Sequence, residues 1–143
     1  MTGRVKLLLF DVDGVLTDGT LHYGPSGEEW KTFNVKDGVA VSLLKAHGIA
    51  SGVLSGKRSL ALERRCQDLG VDHVRLGQSD KLSGLADILS VANLRPSEVF
   101  YIGDDVIVLP LAGVVGCFFA PADAHPLVLA QADVVLDKKG GQG

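Results

Sequence analysis

Val5-Lys6-Leu7-Leu8-Leu9-Phe10-Asp11-Val12-Asp13-Gly14-Val15-Leu16-Thr17-Asp18 sets the architecture. Apart from Lys6, residues 5–10 are apolar without the alternation of a half-exposed strand, which is the pattern of a strand buried on both faces of a parallel sheet. Such a strand delivers Asp11 and Asp13 at its C-terminal end, the edge where open α/β sheets bind ligands. Gly14 permits backbone conformations closed to other residues and lets nearby N–H groups approach a phosphate.

Outward from this stretch the chain alternates. Residues 21–23 and 29–33 flank Gly24-Pro25-Ser26-Gly27 and read as a β-hairpin. Asp37 is placed to cap a helix over residues 37–47 that Gly48 ends. Residues 49–54 form a second buried strand, Leu60–Leu69 a helix stopped by Gly70, and residues 71–76 a short strand. Residues 80–92 are helical and Val99–Ile102 is a third buried strand, with a helix and a strand over residues 105–119. A short helix over residues 123–130, an edge strand over 133–136 and a charged, Gly-rich tail over 138–143 complete the chain. The tail should be mobile in a monomer. This order predicts a doubly wound, Rossmann-like parallel sheet, α/β in class, formed by residues 1–143 as one domain with the hairpin inserted at about residues 20–33.

Composition narrows the function. The chain has 143 residues, 46% hydrophobic and 22% charged, enough for a packed core and too apolar for disorder. A net charge of −3 without a Lys/Arg stripe argues against nucleic acid as a partner. No apolar run approaches the roughly 18 residues of a membrane span and no cleavage site follows the first strand, so the expectation is a cytoplasmic protein without a membrane partner. Cys66 and Cys117 lack metal or redox spacing and read as buried thiols. His22, His47 and His73 also lack ligand spacing, and His125 before Pro126 fits a loop histidine fixed by local hydrogen bonds better than a substrate contact.

The chemistry concentrates at strand ends. Asp11 could attack a phosphoryl group and Asp13 protonate the leaving oxygen, although an Asp-Val-Asp-Gly turn would also account for them. Ser55-Gly56-Lys57-Arg58 offers a hydroxyl and cations after the second strand, or equally a helix cap. Lys81 opens a helix, where a cation opposes the helix dipole; a task for its charge would explain it, a solvated surface position being the alternative. Gly103-Asp104-Asp105 ends the third strand, where paired acids repel unless a divalent cation joins them, and an all-oxygen site touching phosphate suits Mg²⁺.

Acid pair, hydroxyl, lysine, acid pair, in that order at successive strand ends, resemble the four motifs of the haloacid dehalogenase-like (HAD) phosphatases. The resemblance covers essentially the whole chain. Its branch resembles the capless 3-deoxy-D-manno-octulosonate 8-phosphate and sialic-acid phosphate phosphatases, through residues 11–18, Gly27-Glu28-Glu29 leading into Phe33-Asn34-Val35-Lys36-Asp37-Gly38, Gly77-Gln78-Ser79-Asp80-Lys81-Leu82 and Pro121-Ala122-Asp123-Ala124-His125-Pro126. The resemblance implies Asp11 as nucleophile and metal ligand, Asp13 as acid/base that also offers its backbone carbonyl to Mg²⁺, and Asp104 as the third protein ligand. It implies phosphate binding by Ser55, Gly56, Lys57 and Lys81, with Asp105 supporting, and a phosphorylated sugar acid as substrate. The eight-carbon acid is favoured over an N-acylneuraminate or deoxynonulosonate 9-phosphate, or over a weakened oligomerising domain like those of sialic-acid activating enzymes.

Three departures stand out. Val108 replaces a further acid common in this branch, and Lys57 stands where Arg is frequent, leaving Arg58 as the candidate to supply a guanidinium fork. Gly140-Gly141-Gln142-Gly143 resembles a tail that often reads Gly-Gly-Arg-Gly and reaches a neighbouring subunit's site, without the arginine; members usually continue with a short helix. In place of a cap, the resemblance implies a homotetramer packed through the hairpin, with Tyr23, Trp30 and Phe33 as interface area or, equally, as core.

Overall fold

The computed structural model describes residues 4–143. Its elements are β1 (Leu7–Phe10), β2 (His22–Gly24), β3 (Gly27–Trp30), α1 (Val35–Ala46), β4 (Ala50–Leu54), α2 (Leu60–Leu69), β5 (His73–Arg75), α3 (Lys81–Ala92), β6 (Val99–Ile102), β7 (Cys117–Ala120), α4 (Pro126–Gln131) and β8 (Val134–Val135). Short 3₁₀ helices cover Pro96–Glu98 and Val106–Leu111. The six-stranded sheet runs β5-β4-β1-β6-β7-β8 with every pairing parallel, and β2-β3 form a separate antiparallel hairpin. The α/β, Rossmann-like sheet expected from the alternation is present.

β1 is central. Leu7 pairs with Ala50 on one side and Val99 on the other, and Phe10 pairs with Val53 and Ile102, so the three buried strands end within a residue of one another. The amide of Asp11 continues the ladder to Ile102 O at 2.9 Å, and that of Ser55 continues it to Arg75 O at 2.9 Å. Register therefore gathers Asp11, Ser55 and Gly103-Asp104 along one edge. Apolar packing on both faces holds it: Leu7, Leu9, Leu54, Tyr101 and Phe118 belong to one core cluster with α3 and α4, and Val12, Val53, Leu62 and Cys66 to another beneath α2. Both cysteines are free and buried, and burial pushes the Cys66 thiol up to about 11.

The helix starts follow side-chain caps. Asn34 caps α1 by accepting from Lys36 N at 2.9 Å, leaving Asp37, the expected cap, inside the first turn where its charge suits the dipole. Ser59 caps α2, Asp80 caps α3, and His125 caps α4 through Nδ1, which accepts from Leu127 N at 3.1 Å. His125 thus has the local structural role expected of it. Asp123 falls outside α4 and binds Gly140 N at 3.0 Å. The element after Asp105 is a 3₁₀ helix rather than an α-helix, because Pro110 within it supplies no N–H.

The tail departs most from expectation. Gly141 N donates to Val15 O at 2.9 Å, and Gly140 lies so close to the 14–18 loop that a Cβ there would overlap Gly14 O. Two glycines let backbone meet backbone, so the tail is packed instead of free.

Candidate active site

β1, β4, α3 and the loop after β6 deliver their polar residues to a cleft of about 300 Å³ lined by Asp11, Asp13, Ser55, Gly56, Lys57, Lys81, Asp104 and Asp105, with Gly19, Leu21 and Ile107. Every candidate residue read from the sequence lines it except Arg58. Lys81 is not a surface lysine: its side chain is 2% exposed, and Nζ donates to Leu54 O at 2.7 Å and Asp11 Oδ1 at 3.2 Å. The poor dipole position at the start of α3 is offset by a buried carboxylate and a strand-end carbonyl.

Asp11 is buried, and Val12 N and Lys81 Nζ both donate to Oδ1, so the carboxylate is oriented through one oxygen. Burial raises its pKa above the ordinary carboxylate value, against the lowering influence of Lys81 and the Val12 N–H. Ser55 is buried, and its Oγ accepts from Lys57 N at 3.2 Å, which leaves the hydroxyl hydrogen free to donate into the cleft. Arg58 turns away to pair with Glu63 at 3.0 Å and does not line the cleft, so it supplies no fork beside Lys57.

Asp104 is pushed up to about 7 by desolvation, then by the charges of Asp11, Asp105 and Asp123. Gly14, at φ +82°, makes room for it: a Cβ there would overlap the Asp104 carboxylate. The Asp104 side chain thus lies against the Asp13–Gly14 backbone. Tyr101, fully buried with an unpartnered hydroxyl, is raised well above its ordinary value by burial and by the charges of Asp11 and Asp104. Two desolvated carboxylates of one cleft, Asp11 and Asp104, both with raised pKa values, fit a hard divalent cation, which would remove the repulsion that Asp11 exerts on Asp104. No cluster of three or more Asp, Glu, His or Cys side chains with metal-holding geometry occurs among the described residues.

Asp105 caps the following 3₁₀ helix by accepting from Val106 N at 2.6 Å. Val108 is fully buried in the main core, packed against Gly103, so an apolar side chain there leaves no hole at the cleft. One residue bonded to the cleft lining escaped sequence reading. Lys31, just past β3, has a covered side chain whose Nζ donates to Asp13 Oδ1 at 2.8 Å and also to Glu28. Burial alone would lower its pKa, but hydrogen bonds and charges of the two carboxylates outweigh that and raise it. The signal was a Glu-x-x-Lys pair in the hairpin, which without the fold is indistinguishable from a solvated charge pair.

No protein-family model matches the chain. The 3-deoxy-D-manno-octulosonate 8-phosphate phosphatase of Yersinia pestis is 44% identical over 140 residues, 98% of this chain and 75% of that protein. The chain belongs to the 3-deoxy-D-manno-octulosonate 8-phosphate phosphatase family. The crystal structure of the Yersinia pestis phosphatase superposes with a TM-score of 0.93 at 44% identity over 97% of this chain and 75% of that one. The family's Moraxella catarrhalis member, solved with magnesium ion, phosphate ion and a KDO molecule, gives 0.91 at 34% identity over 96% of this chain and 79% of that one. A HAD superfamily (subfamily III A) hydrolase of Legionella pneumophila gives 0.93 at 40% identity over 97% of this chain and 76% of that one. The expected HAD phosphatase kinship is therefore correct. No helix among the described residues is long and apolar enough to cross a membrane.

Proposed function

We propose that this chain is a cytoplasmic, Mg²⁺-dependent phosphatase that hydrolyses 3-deoxy-D-manno-octulosonate 8-phosphate through a phosphoaspartate on Asp11. The observation that carries the reading is the buried Lys81–Asp11 pair at 3.2 Å, set in one cleft with Ser55 and Asp104. A desolvated carboxylate with an attached cation is poised to meet a phosphoryl group whose oxygens need positive charge. The Moraxella catarrhalis relative, with its magnesium, phosphate and KDO, supports this metal and this substrate class.

In the first step Asp11 attacks phosphorus in line, and the bond to the sugar oxygen breaks as Asp13 gives that oxygen its proton. In the second, Asp13 takes a proton from water as the water oxygen bonds to phosphorus, and the bond to Asp11 breaks to release phosphate. Lys81, the Ser55 hydroxyl and Lys57 hold the transferring oxygens and neutralise the charge that spreads over them. Asp11, Asp104 and the Asp13 carbonyl would hold Mg²⁺. When bound, the ion offsets the repulsion between carboxylate and phosphoryl oxygens that otherwise opposes attack.

The hairpin bears on assembly. Tyr23 is 70% and Trp30 59% exposed, which supports their role as contact area in a homotetramer, whereas Phe33 packs against the core and under Arg65. The test is a panel of sugar-acid and simple sugar phosphates compared by kcat/KM, with Mg²⁺ and with EDTA, on protein whose mass in solution is measured. The expected outcome is highest kcat/KM for the eight-carbon acid, no turnover in EDTA, and a mass four times 15.0 kDa. Preference for a nine-carbon 9-phosphate, full rate in EDTA, or a mass of 15.0 kDa would each remove the corresponding part of the reading.

A further inference from the structure

Asp13 sits on the loop after β1 with its side chain 27% exposed, and among the described residues Lys31 is its one side-chain hydrogen-bond partner, at 2.8 Å. A carboxylate on a loop, left to itself, samples several staggered rotamers, whereas a general acid must stay within hydrogen-bond reach of the oxygen it protonates. Something must choose among those rotamers. Lys31 comes from 18 residues away and its side chain is 2% exposed, so it has lost its hydration shell and is committed to the acceptors it has. Those acceptors are Asp13 Oδ1 and Glu28 Oε1. Glu28 belongs to β3, paired with Tyr23 across the hairpin, and thus ties the lysine to a fixed backbone. A lysine facing only Asp13 could follow that carboxylate as it moves; one anchored to Glu28 cannot.

We propose that Lys31, anchored by Glu28, is a positioning residue for the reaction: it holds Asp13 through Oδ1, so that Oδ2 is the oxygen presented to the leaving group. This rests on the reading of Asp13 as general acid. The hairpin is thereby more than a lip on the cleft, since its buried cation sets the geometry of proton delivery from a position that need not touch the substrate.

A structural tie and a positioning role differ in what they do to different leaving groups. An alkyl oxygen such as a sugar C8 hydroxyl departs poorly without a proton, and p-nitrophenolate departs well without one. The comparison is kcat/KM, which covers steps only through departure of the alcohol and excludes the later attack of water. Lys31→Met, Asp13→Asn and wild type are compared on 3-deoxy-D-manno-octulosonate 8-phosphate and on p-nitrophenyl phosphate, with saturating Mg²⁺. The expected result is a loss for Lys31→Met of about 10- to 10³-fold on the sugar-acid phosphate and within about threefold on p-nitrophenyl phosphate, the same split as Asp13→Asn but smaller. Equal losses on both substrates, or none on either, overturn the role of Lys31 while leaving Asp13 as acid, provided Asp13→Asn shows the split. If Asp13→Asn shows no split, the acid reading falls and the Lys31 role falls with it. Should Lys31→Met fail to fold because two carboxylates are stranded, Lys31→Met/Glu28→Gln removes one of them and is read in the same way.

Discussion

Asp11 carries a charge in a place that disfavours it. Its burial raises the carboxyl pKa, Lys81 and the Val12 N–H pull the other way, and the balance still lies above the ordinary value. The same pairing explains why Lys81 tolerates being buried, since each ion offsets the cost of the other. Asp11→Asn keeps the shape and the Oδ1 acceptor of the Val12 N–H and of Lys81 Nζ but removes the nucleophile and the counter-charge of Lys81, so turnover should fall to the assay floor in a protein that still folds by circular dichroism, with a lowered melting temperature. Retention of the wild-type rate would remove Asp11 from the chemistry. Lys81→Met strands the carboxylate instead, and breaking a buried pair in this way costs roughly 3 kcal/mol or more. It should therefore lower stability in a urea melt as well as activity, and an unchanged midpoint would mean that the pair is not buried in solution.

Elements explain which parts of this site were legible before the fold was seen. Asp11, Ser55 and Asp104 each follow an apolar run, and parallel register then forces runs of similar length to end together, so one dimension of sequence sufficed. Lys81 was legible as an oddity, a cation at a helix start. Lys31 was not, because its environment is created by a hairpin folding back across 18 residues, and no local pattern encodes that. The reading of Asp37 as the cap of α1 was wrong, because Asn34, three residues earlier and equally competent, meets the free N–H of Lys36 instead. The tail failed for a related reason: Gly-Gly looks like freedom until another backbone lies close enough to need the missing side chains. Gly140→Val should therefore push the tail off the 14–18 loop, because its Cβ would overlap Gly14 O and also crowd Thr17 O. The expected effect is a loss of about 1–3 kcal/mol in stability, typical of overpacking, with kcat/KM down about tenfold through the displaced Asp13–Gly14 backbone. Gln142→Ala serves as the control for tail composition, and a Gly140→Val protein equal to wild type in both measurements would show that this contact does not brace the loop.

Across the molecule, the carboxylate edge couples stability to pH and to metal. Asp104 ionises at about 7 in the folded, metal-free protein instead of 3.8, because it is desolvated and faces Asp11 and Asp105. A raised folded-state pKa means that the folded chain binds the proton more tightly than the unfolded one. The stabilisation this group gives is therefore full below pH 3.8 and is lost as pH rises through about 7. The cation acts with the opposite sign. It needs the ionised carboxylate, so below pH 7 it must displace a proton and its apparent affinity should weaken by up to about tenfold per pH unit. Mg²⁺ binding only to the folded state raises stability by about 2.7 kcal/mol when it exceeds its dissociation constant a hundredfold. At a fixed millimolar concentration, the gap in melting temperature between Mg²⁺ and EDTA should accordingly be largest near pH 8, shrink through pH 7 and be nearly closed by pH 5.5. Thermal melts at these three pH values, repeated on Asp104→Asn, separate the causes: the variant should show a small gap that does not grow with pH. A wild-type gap that stays constant from pH 5.5 to 8 would mean that Asp104 carries no proton for the metal to displace, and that the crowding of acids at the ends of β1 and β6 is relieved in some other way.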